Sequence, residues 1–113
     1  MQVMGTNLTM IRGDSETISV RMNNNEGEEV FFKDGDIVYW TVKENLNATT
    51  NSLQVIVNEF DKGVATIKIK PSDTSELRAK EYIYDIQLTR EDGTVTTIVK
   101  PSKFILEGDV TRD

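Results

Sequence analysis

Apolar and polar side chains alternate with a period of two along several separate stretches of the chain, and this pattern constrains the fold more than any other feature. The alternation is clearest over Thr17–Met22, Ala65–Lys70 and Tyr82–Thr89. Successive side chains of a β-strand point to opposite faces, so each stretch predicts a strand with one face on a core and the other in water. No stretch has the apolar period that a long amphipathic helix needs.

Three further strands are predicted from runs that are rich in β-branched residues. Ile37–Val42 is apolar on both faces at first, which favours a central strand, and Leu53–Val57 and Thr94–Val99 are further runs rich in β-branched residues. The inward side chains of the central strand are predicted to be Val38, Trp40 and Val42.

Turn residues separate these strands. Glu91-Asp92-Gly93 lies between two strand-like runs and predicts a hairpin. The segment Pro71–Leu77 predicts one short helical turn, with Ser72 as its cap and Leu77 packed beneath it. Asn45–Ser52 is mostly polar and predicts a loop.

About seven short strands in 113 residues predict a single all-β domain spanning residues 1–113, an immunoglobulin-like antiparallel β-sandwich. A small closed barrel is the main alternative. Trp40 falls in the third strand, where such sandwiches often bury a tryptophan, and Tyr82 stands where a tyrosine corner is expected. An ordinary half-buried tyrosine is the alternative for Tyr82. The predicted core residues are Val20, Trp40, Ile67, Tyr82, Tyr84 and Ile86.

The composition excludes several classes of function. The chain has no cysteine and no histidine, which excludes disulfides, thiolate and imidazole metal sites, cysteine nucleophiles and the Ser-His-Asp triad. The formal net charge of −6 argues against nucleic acid or an anionic membrane as a partner, since both are bound by clustered Lys and Arg. We therefore expect a protein that is not an enzyme and that needs no cofactor.

The first residues lack the basic segment and apolar stretch of a secretory signal, and no apolar run approaches the roughly 20 residues that span a bilayer. Synthesis and folding in the cytoplasm are therefore expected.

An ordered series of short motifs resembles one family. The series is Ile11-Arg12-Gly13-Asp14, Asp34–Lys43, Gly63–Ile67, Pro71–Thr74 with Leu77, Tyr82–Leu88 with Asp92-Gly93, and Gly108–Thr111. Its order and spacing are similar to the N-terminal immunoglobulin-like domain of phage baseplate upper proteins and of related prophage tail proteins from Gram-positive hosts.

This resemblance implies a structural module of the virion, located in the tail or baseplate. Its partners would be other tail or baseplate proteins, or further domains of a longer chain, and it could form an oligomer. The stalk and receptor-binding parts of longer relatives have no counterpart in these 113 residues, so host binding is not implied for this polypeptide.

Two short motifs have both functional and structural interpretations. Arg12-Gly13-Asp14 matches the integrin-binding tripeptide, but a bend in the first hairpin is favoured. Asp34-Gly35-Asp36, with the acidic cluster Glu26, Glu28 and Glu29, could supply oxygen ligands for Ca²⁺, but turn chemistry and solvation explain both. No metal site is predicted.

Scattered carboxylates leave open a small hydrolase, although nothing in the sequence brings two of them into one cleft. Asp85 stands out because it interrupts a strand; if it leans inward it needs a cationic partner such as Arg12 or Lys43. A carbohydrate-binding or cell-surface adhesion module with an aromatic face is the other alternative.

An assembly module should expose apolar side chains and strand edges. Phe31 and Phe32 are adjacent, so one of them faces outward on a strand. The exposed edges are predicted to be the first strand, Leu8–Arg12, and the last, Phe104–Val110, with Ile105 facing outward beside an unpaired edge. Phe31, Phe32 and Ile105 are therefore the predicted assembly surface.

Overall fold

Ten strands and one short helical turn form the regular structure of residues 2–4 and 7–110, which are the residues described by a computed structural model of the chain. The strands are β1 (Gln2–Met4), β2 (Asn7–Ile11), β3 (Glu16–Val20), β4 (Met22–Asn23), β5 (Glu29–Val30), β6 (Ile37–Lys43), β7 (Leu53–Val57), β8 (Ala65–Ile69), β9 (Glu81–Thr89) and β10 (Val95–Glu107), and the turn is α1 (Pro71–Thr74). Seven of these strands have five or more residues, as predicted.

The strands build an all-β sandwich. One layer is a six-stranded sheet in the order β1-β2-β10-β9-β6-β7, and two pairs, β3-β8 and β4-β5, lie outside that sheet. The prediction of a purely antiparallel arrangement is wrong at one place, because β2 and β10 run parallel. These two strands come from opposite ends of the chain, so no hairpin forces them to be antiparallel.

The core lies between the inner faces of the two layers. All six predicted core residues are buried, together with residues from β2, β8 and β10. Trp40 is fully buried and meets Phe104 edge to face, with ring centroids 5.3 Å apart and an interplanar angle of 87°. Such edge-to-face contacts add to the stabilisation that burial alone provides.

Tyr82 forms the predicted tyrosine corner. Its hydroxyl donates a hydrogen bond of 2.7 Å to the carbonyl oxygen of Arg78, four residues upstream. The ring is buried, and desolvation raises the pKa of the Tyr82 hydroxyl, so the group stays protonated and keeps its donor at neutral pH.

The helical turn is shorter than predicted and has another cap. Lys70 precedes the turn, and its backbone N–H donates to the Asp73 carboxylate at 2.8 Å. Ser72 is therefore not the cap, because Pro71 already occupies the first helical position. Leu77 does pack against the core, as predicted.

The hairpin between β9 and β10 also forms as predicted. Gly93 has a φ of 92°, which glycine adopts readily, and its N–H donates to the Arg90 carbonyl at 2.9 Å. Asp92 accepts a bond from the Thr94 backbone N–H, and this hydrogen bond lowers the pKa of the Asp92 carboxyl.

Candidate functional site

The two adjacent phenylalanines divide between surface and core. Phe31 is 53% exposed, whereas Phe32 is only 4% exposed and stacks on Phe60 with ring centroids 5.2 Å apart. Phe32 is therefore not part of an assembly surface, and that prediction is corrected. The two residues also lie outside any strand, since they follow the end of β5, although one side chain is exposed and the other buried. Phe31 covers Gly63 so closely that a Cβ there would lie 2.5 Å from the Cβ of Phe31.

Ile105 does not stand beside an unpaired edge. Its side chain is half-buried between the buried Phe104 and Leu106, as alternation predicts. However, β10 pairs with β9 on one side and with β2 on the other, and Ile105 lies opposite Glu81 and Thr9. The proposed interface at the last strand is wrong, because β10 is long enough to pair on both sides.

The first predicted edge is wrong for Leu8 and Thr9, which have a strand on both sides, whereas Met10 and Ile11 pair with β10 alone. Asn7–Thr9 of β2 pairs with β1, and Leu8–Ile11 pairs with β10. The remaining residue of that prediction, Arg12, follows the strand and donates its backbone N–H to the Glu107 carbonyl. Of the two predicted edges, only Met10 and Ile11 therefore keep a side without a strand partner among the described residues.

The six-stranded sheet ends in β1 on one side and in β7 on the other, and β7 is the longer of these two edge strands. Within residues 2–4 and 7–110, its only strand partner is β6, so the other side of β7 carries unpaired backbone N–H and C=O groups. Ile56 projects from the outer face of this strand and is 56% exposed. β7 has no charged residue and no proline, which are the usual protections of an exposed edge.

One sequence signal marks this edge, although the strand pattern does not reveal it. Residues Asn45–Asn58 form the longest stretch without a charged side chain, 14 residues in a chain that is 28% charged. The stretch contains the loop before β7 and the whole of β7. A long uncharged run in a highly charged chain is typical of a contact surface.

A groove of about 350 Å³ lies on the outer face of the large sheet, beside this edge. Outward side chains of three neighbouring strands line it: Gln54 on β7, Thr41 on β6 and Asp85 on β9. In the register of the sheet, Thr41 lies directly between Gln54 and Asp85. The three side chains therefore form one row across the sheet.

More polar side chains surround this row. Lys43, Gln87, Asn45 and Asn51 also line the groove. Its apolar lining includes Leu46, Ile83 and Pro101, and Leu46 is 66% exposed. The groove therefore combines a polar floor with exposed aliphatic surface.

Asp85 is the main charge in the groove. It is half-buried, and its carboxylate accepts no hydrogen bond from any described residue. Desolvation raises the pKa of Asp85, and the charge of Lys43 partly offsets the rise. The sequence predicted a cationic partner, Arg12 or Lys43, for an Asp85 that leans inward. Asp85 instead faces outward, and Arg12 pairs with Asp109. Lys43 does act on Asp85, although no salt bridge forms between them within the described residues.

β10 is irregular opposite Asp85. Its pairing register with β9 shifts twice between Thr97 and Ser102, so Asp85 falls between the pairs Ile86–Val99 and Tyr84–Ser102. Pro101, which lacks a backbone donor, stands in this bulge and lines the groove. Bulges of this kind are common beside functional sites because they redirect side chains.

The Arg12-Gly13-Asp14 motif is built into the fold. Arg12 forms a salt bridge of 2.8 Å with Asp109 and donates to the Leu77 carbonyl at 3.2 Å. The Gly13 N–H donates to the Thr74 hydroxyl at 2.9 Å, and Gly13 has a φ of 87°. The motif makes a bend, as favoured, but it joins strands of different sheets and is not a hairpin turn.

Asp34-Gly35-Asp36 also forms a turn. Asp36 is buried and accepts bonds from the Arg90 guanidinium at 2.7 Å and from the Lys33 backbone N–H at 2.9 Å. Among the described residues, no group of three or more acidic side chains could hold a metal ion. In the same residues, no helix is long and apolar enough to cross a membrane.

Most of the aromatic side chains are core residues. Phe32, Trp40, Tyr82, Tyr84 and Phe104 are buried, and Phe60 is half-buried in its stack on Phe32. Tyr39 is half-buried on the outer face of β6, where it lies opposite Ile56 and Gln87. The groove is accordingly lined mainly by polar side chains, and the aromatic platform of the adhesion alternative is not its main feature.

No protein-family model matches this sequence, and no curated protein matches it either.

Proposed function

We propose that this chain is a non-enzymatic structural module of a phage or prophage virion, acting in the assembly of the tail or baseplate. The observation that carries the proposal is the open, uncharged edge of β7 with Ile56 exposed beside it. The ordered motifs from Arg12 to Asp109 support the choice of family.

The edge suits a specific kind of contact. An extended segment of a neighbouring tail protein can pair with the free backbone groups of β7 and lengthen the six-stranded sheet. Ile56 then lies beside the added strand and packs against its outward side chains. Main-chain hydrogen bonds of this kind provide affinity, and side chains such as Ile56 provide specificity.

The experiment uses the phage or prophage that encodes the chain. Its gene is deleted, and the deletion is complemented with the wild type, with Ile56→Lys or with Ile105→Lys. Lysine on an edge opposes strand addition, whereas Ile105 lies on an interior strand and serves as the matched control. The readouts are the mass spectrometry of purified particles and the electron microscopy of their tails.

The expected result is that particles contain the wild-type chain and the Ile105→Lys chain, and that tails assemble with both. Ile56→Lys should fold normally but be lost from particles. The proposal is overturned if the wild-type chain is absent from purified particles, or if the deletion leaves tails complete. Equal incorporation of both variants into particles would show that β7 is not the docking edge.

A further inference from the structure

We infer that the groove formed by Gln54, Thr41, Asp85 and their neighbours binds a neutral, hydroxyl-rich ligand, of which a saccharide unit is the natural class. This site is separate from the β7 edge that the assembly proposal uses, since Ile56 does not line the groove. Gln54 belongs to β7, but its side chain lines the groove, whereas the assembly proposal uses the free backbone groups of β7 and the side chain of Ile56. The inference therefore goes beyond assembly.

The donors and acceptors in the groove match hydroxyl groups. The Gln54 amide nitrogen donates to the Thr41 oxygen at 3.0 Å, which leaves the Gln54 carbonyl oxygen as an acceptor and the Thr41 hydroxyl hydrogen as a donor. Asp85 accepts only, Lys43 donates only, and the side-chain amide of Gln87 does both. A hydroxyl group also does both, so several hydroxyls on one ring can satisfy this mixed set.

The charges in the groove select against ions. Asp85 opposes an anion and Lys43 opposes a cation, and the other polar lining residues are neutral: four side-chain amides, one threonine and one tyrosine. The formal charge of the lining is therefore zero. Because a partly desolvated carboxylate without a hydrogen bond is costly, Asp85 gains most from a ligand that donates hydrogen bonds to it without bringing a charge.

The dimensions also fit one ring. Gln54 and Asp85 lie on strands that flank β6, so their backbones are two strand spacings, roughly 10 Å, apart. That width accommodates a single sugar ring together with a hydrogen bond on each side. Leu46, Ile83 and Pro101 supply aliphatic surface against which the C–H groups of the ring can pack.

The test is a titration monitored by ¹⁵N–¹H NMR. The side-chain amides of Asn45, Asn51, Gln54 and Gln87 report directly on the groove. The probes are glucose, galactose, N-acetylglucosamine and rhamnose, with glycine as a zwitterion and trialanine as a peptide. At least one sugar should shift these amides with a millimolar dissociation constant, because the groove is open to solvent.

Asp85→Asn should weaken that binding by about tenfold, because hydrogen bonds to a charged acceptor are stronger than those to a neutral one. The matched control is Glu59→Gln, which removes one exposed carboxylate outside the groove and should leave binding unchanged. Ile56→Lys should also leave it unchanged, which separates this inference from the assembly proposal.

Three outcomes would overturn the inference. The first is that no sugar in the panel shifts the four amides at concentrations of tens of millimolar. The second is that glycine or trialanine shifts them more than any sugar, which would assign the groove to a zwitterion or a peptide. The third is that Asp85→Asn binds as tightly as the wild type while both proteins remain folded.

Discussion

The guanidinium of Arg12 and the carboxylate of Asp109 meet at 2.8 Å although 97 positions separate them in the chain. Arg12 also donates to the Leu77 carbonyl, and the neighbouring Gly13 N–H donates to the Thr74 hydroxyl. The bend after β2, the end of β10 and the region of α1 are therefore tied together. Both charged side chains are mostly buried, at 17% and 13% exposure, so the pair is poorly screened by solvent.

We expect Arg12 and Asp109 to be energetically coupled. Each single change, Arg12→Met or Asp109→Asn, should lower the free energy of unfolding by about 1–3 kcal/mol, because each removes a charged hydrogen bond between two mostly buried side chains. A double-mutant cycle measured by urea denaturation should give a coupling energy of about 1 kcal/mol or more. The Lys103–Glu81 pair is the control: its side chains are 59% and 60% exposed, and its coupling should be near zero. Equal coupling in the two cycles would contradict this prediction.

Tyr82→Phe should remove the hydrogen bond of the tyrosine corner while keeping the buried ring. The Arg78 carbonyl loses a donor at 2.7 Å, and we expect the free energy of unfolding to fall by about 1–2 kcal/mol. Tyr39→Phe removes a hydroxyl from a half-buried ring on the outer face and should cost less than about 0.5 kcal/mol. Thermal and chemical unfolding of both variants provide the measurement. A loss for Tyr82→Phe no larger than that for Tyr39→Phe would show that the corner does not stabilise the fold.

Trp40 should stabilise the fold through the volume of its buried side chain and not through a hydrogen bond of its indole nitrogen. Trp40→Ala should cost about 3–5 kcal/mol, because a large buried side chain is lost and a cavity remains. The indole nitrogen of Trp40 is buried and has no hydrogen-bond partner among the described residues. Trp40→Phe therefore loses volume but no hydrogen bond, and should cost less than half as much as Trp40→Ala. A similar loss for the two variants in urea denaturation would point to an unrecognised acceptor for the indole.

The inner face of the sandwich was predictable because alternation alone determines which side chains enter the core. Trp40, Tyr84 and Ile67 belong to runs in which every second residue is apolar, and all three are buried. The tyrosine corner was predictable for a similar reason, since the spacing from the turn to Tyr82 places its hydroxyl near the backbone upstream. These features depend on local sequence.

Strand order was not predictable, because it depends on which distant strands pair. Nothing near Phe104 indicates that β2 lies parallel to β10, and this pairing removed the predicted edge at Ile105. The same pairing pattern left β7 at the end of the sheet. The row of Gln54, Thr41 and Asp85 exists only because three strands adopt one register, so no local pattern could have identified the groove. Asp85 was recognised as unusual in its strand, but its surroundings were not.

The pH dependence of stability should reveal how Asp85 is buried. Desolvation raises the pKa of its carboxyl above the ordinary value of 3.8, so between that value and the raised pKa the folded state binds more protons than the unfolded state. In this window the free energy of unfolding falls as the pH rises. Above the raised pKa the carboxylate is ionised in both states, and its destabilising effect is at its maximum. Asp85→Asn removes this penalty and should stabilise the protein at about pH 7, by less than about 1 kcal/mol. The gain should disappear at about pH 3, where Asp85 is protonated in both states.

Asp92→Asn is the control with the opposite sign. The hydrogen bond from the Thr94 N–H lowers the pKa of Asp92, so its carboxylate stabilises the folded state above pH 3.8, and that stabilisation is lost as the pH falls through the lowered pKa. Asp92→Asn should therefore destabilise the protein at neutral pH and have little effect in acid. Urea denaturation of the wild type and both variants at each pH would measure the two differences. If Asp85→Asn destabilised the protein at neutral pH, as Asp92→Asn is expected to do, the carboxylate of Asp85 would already have a stabilising partner within the chain. The groove would then not need a hydrogen-bond donor from a ligand.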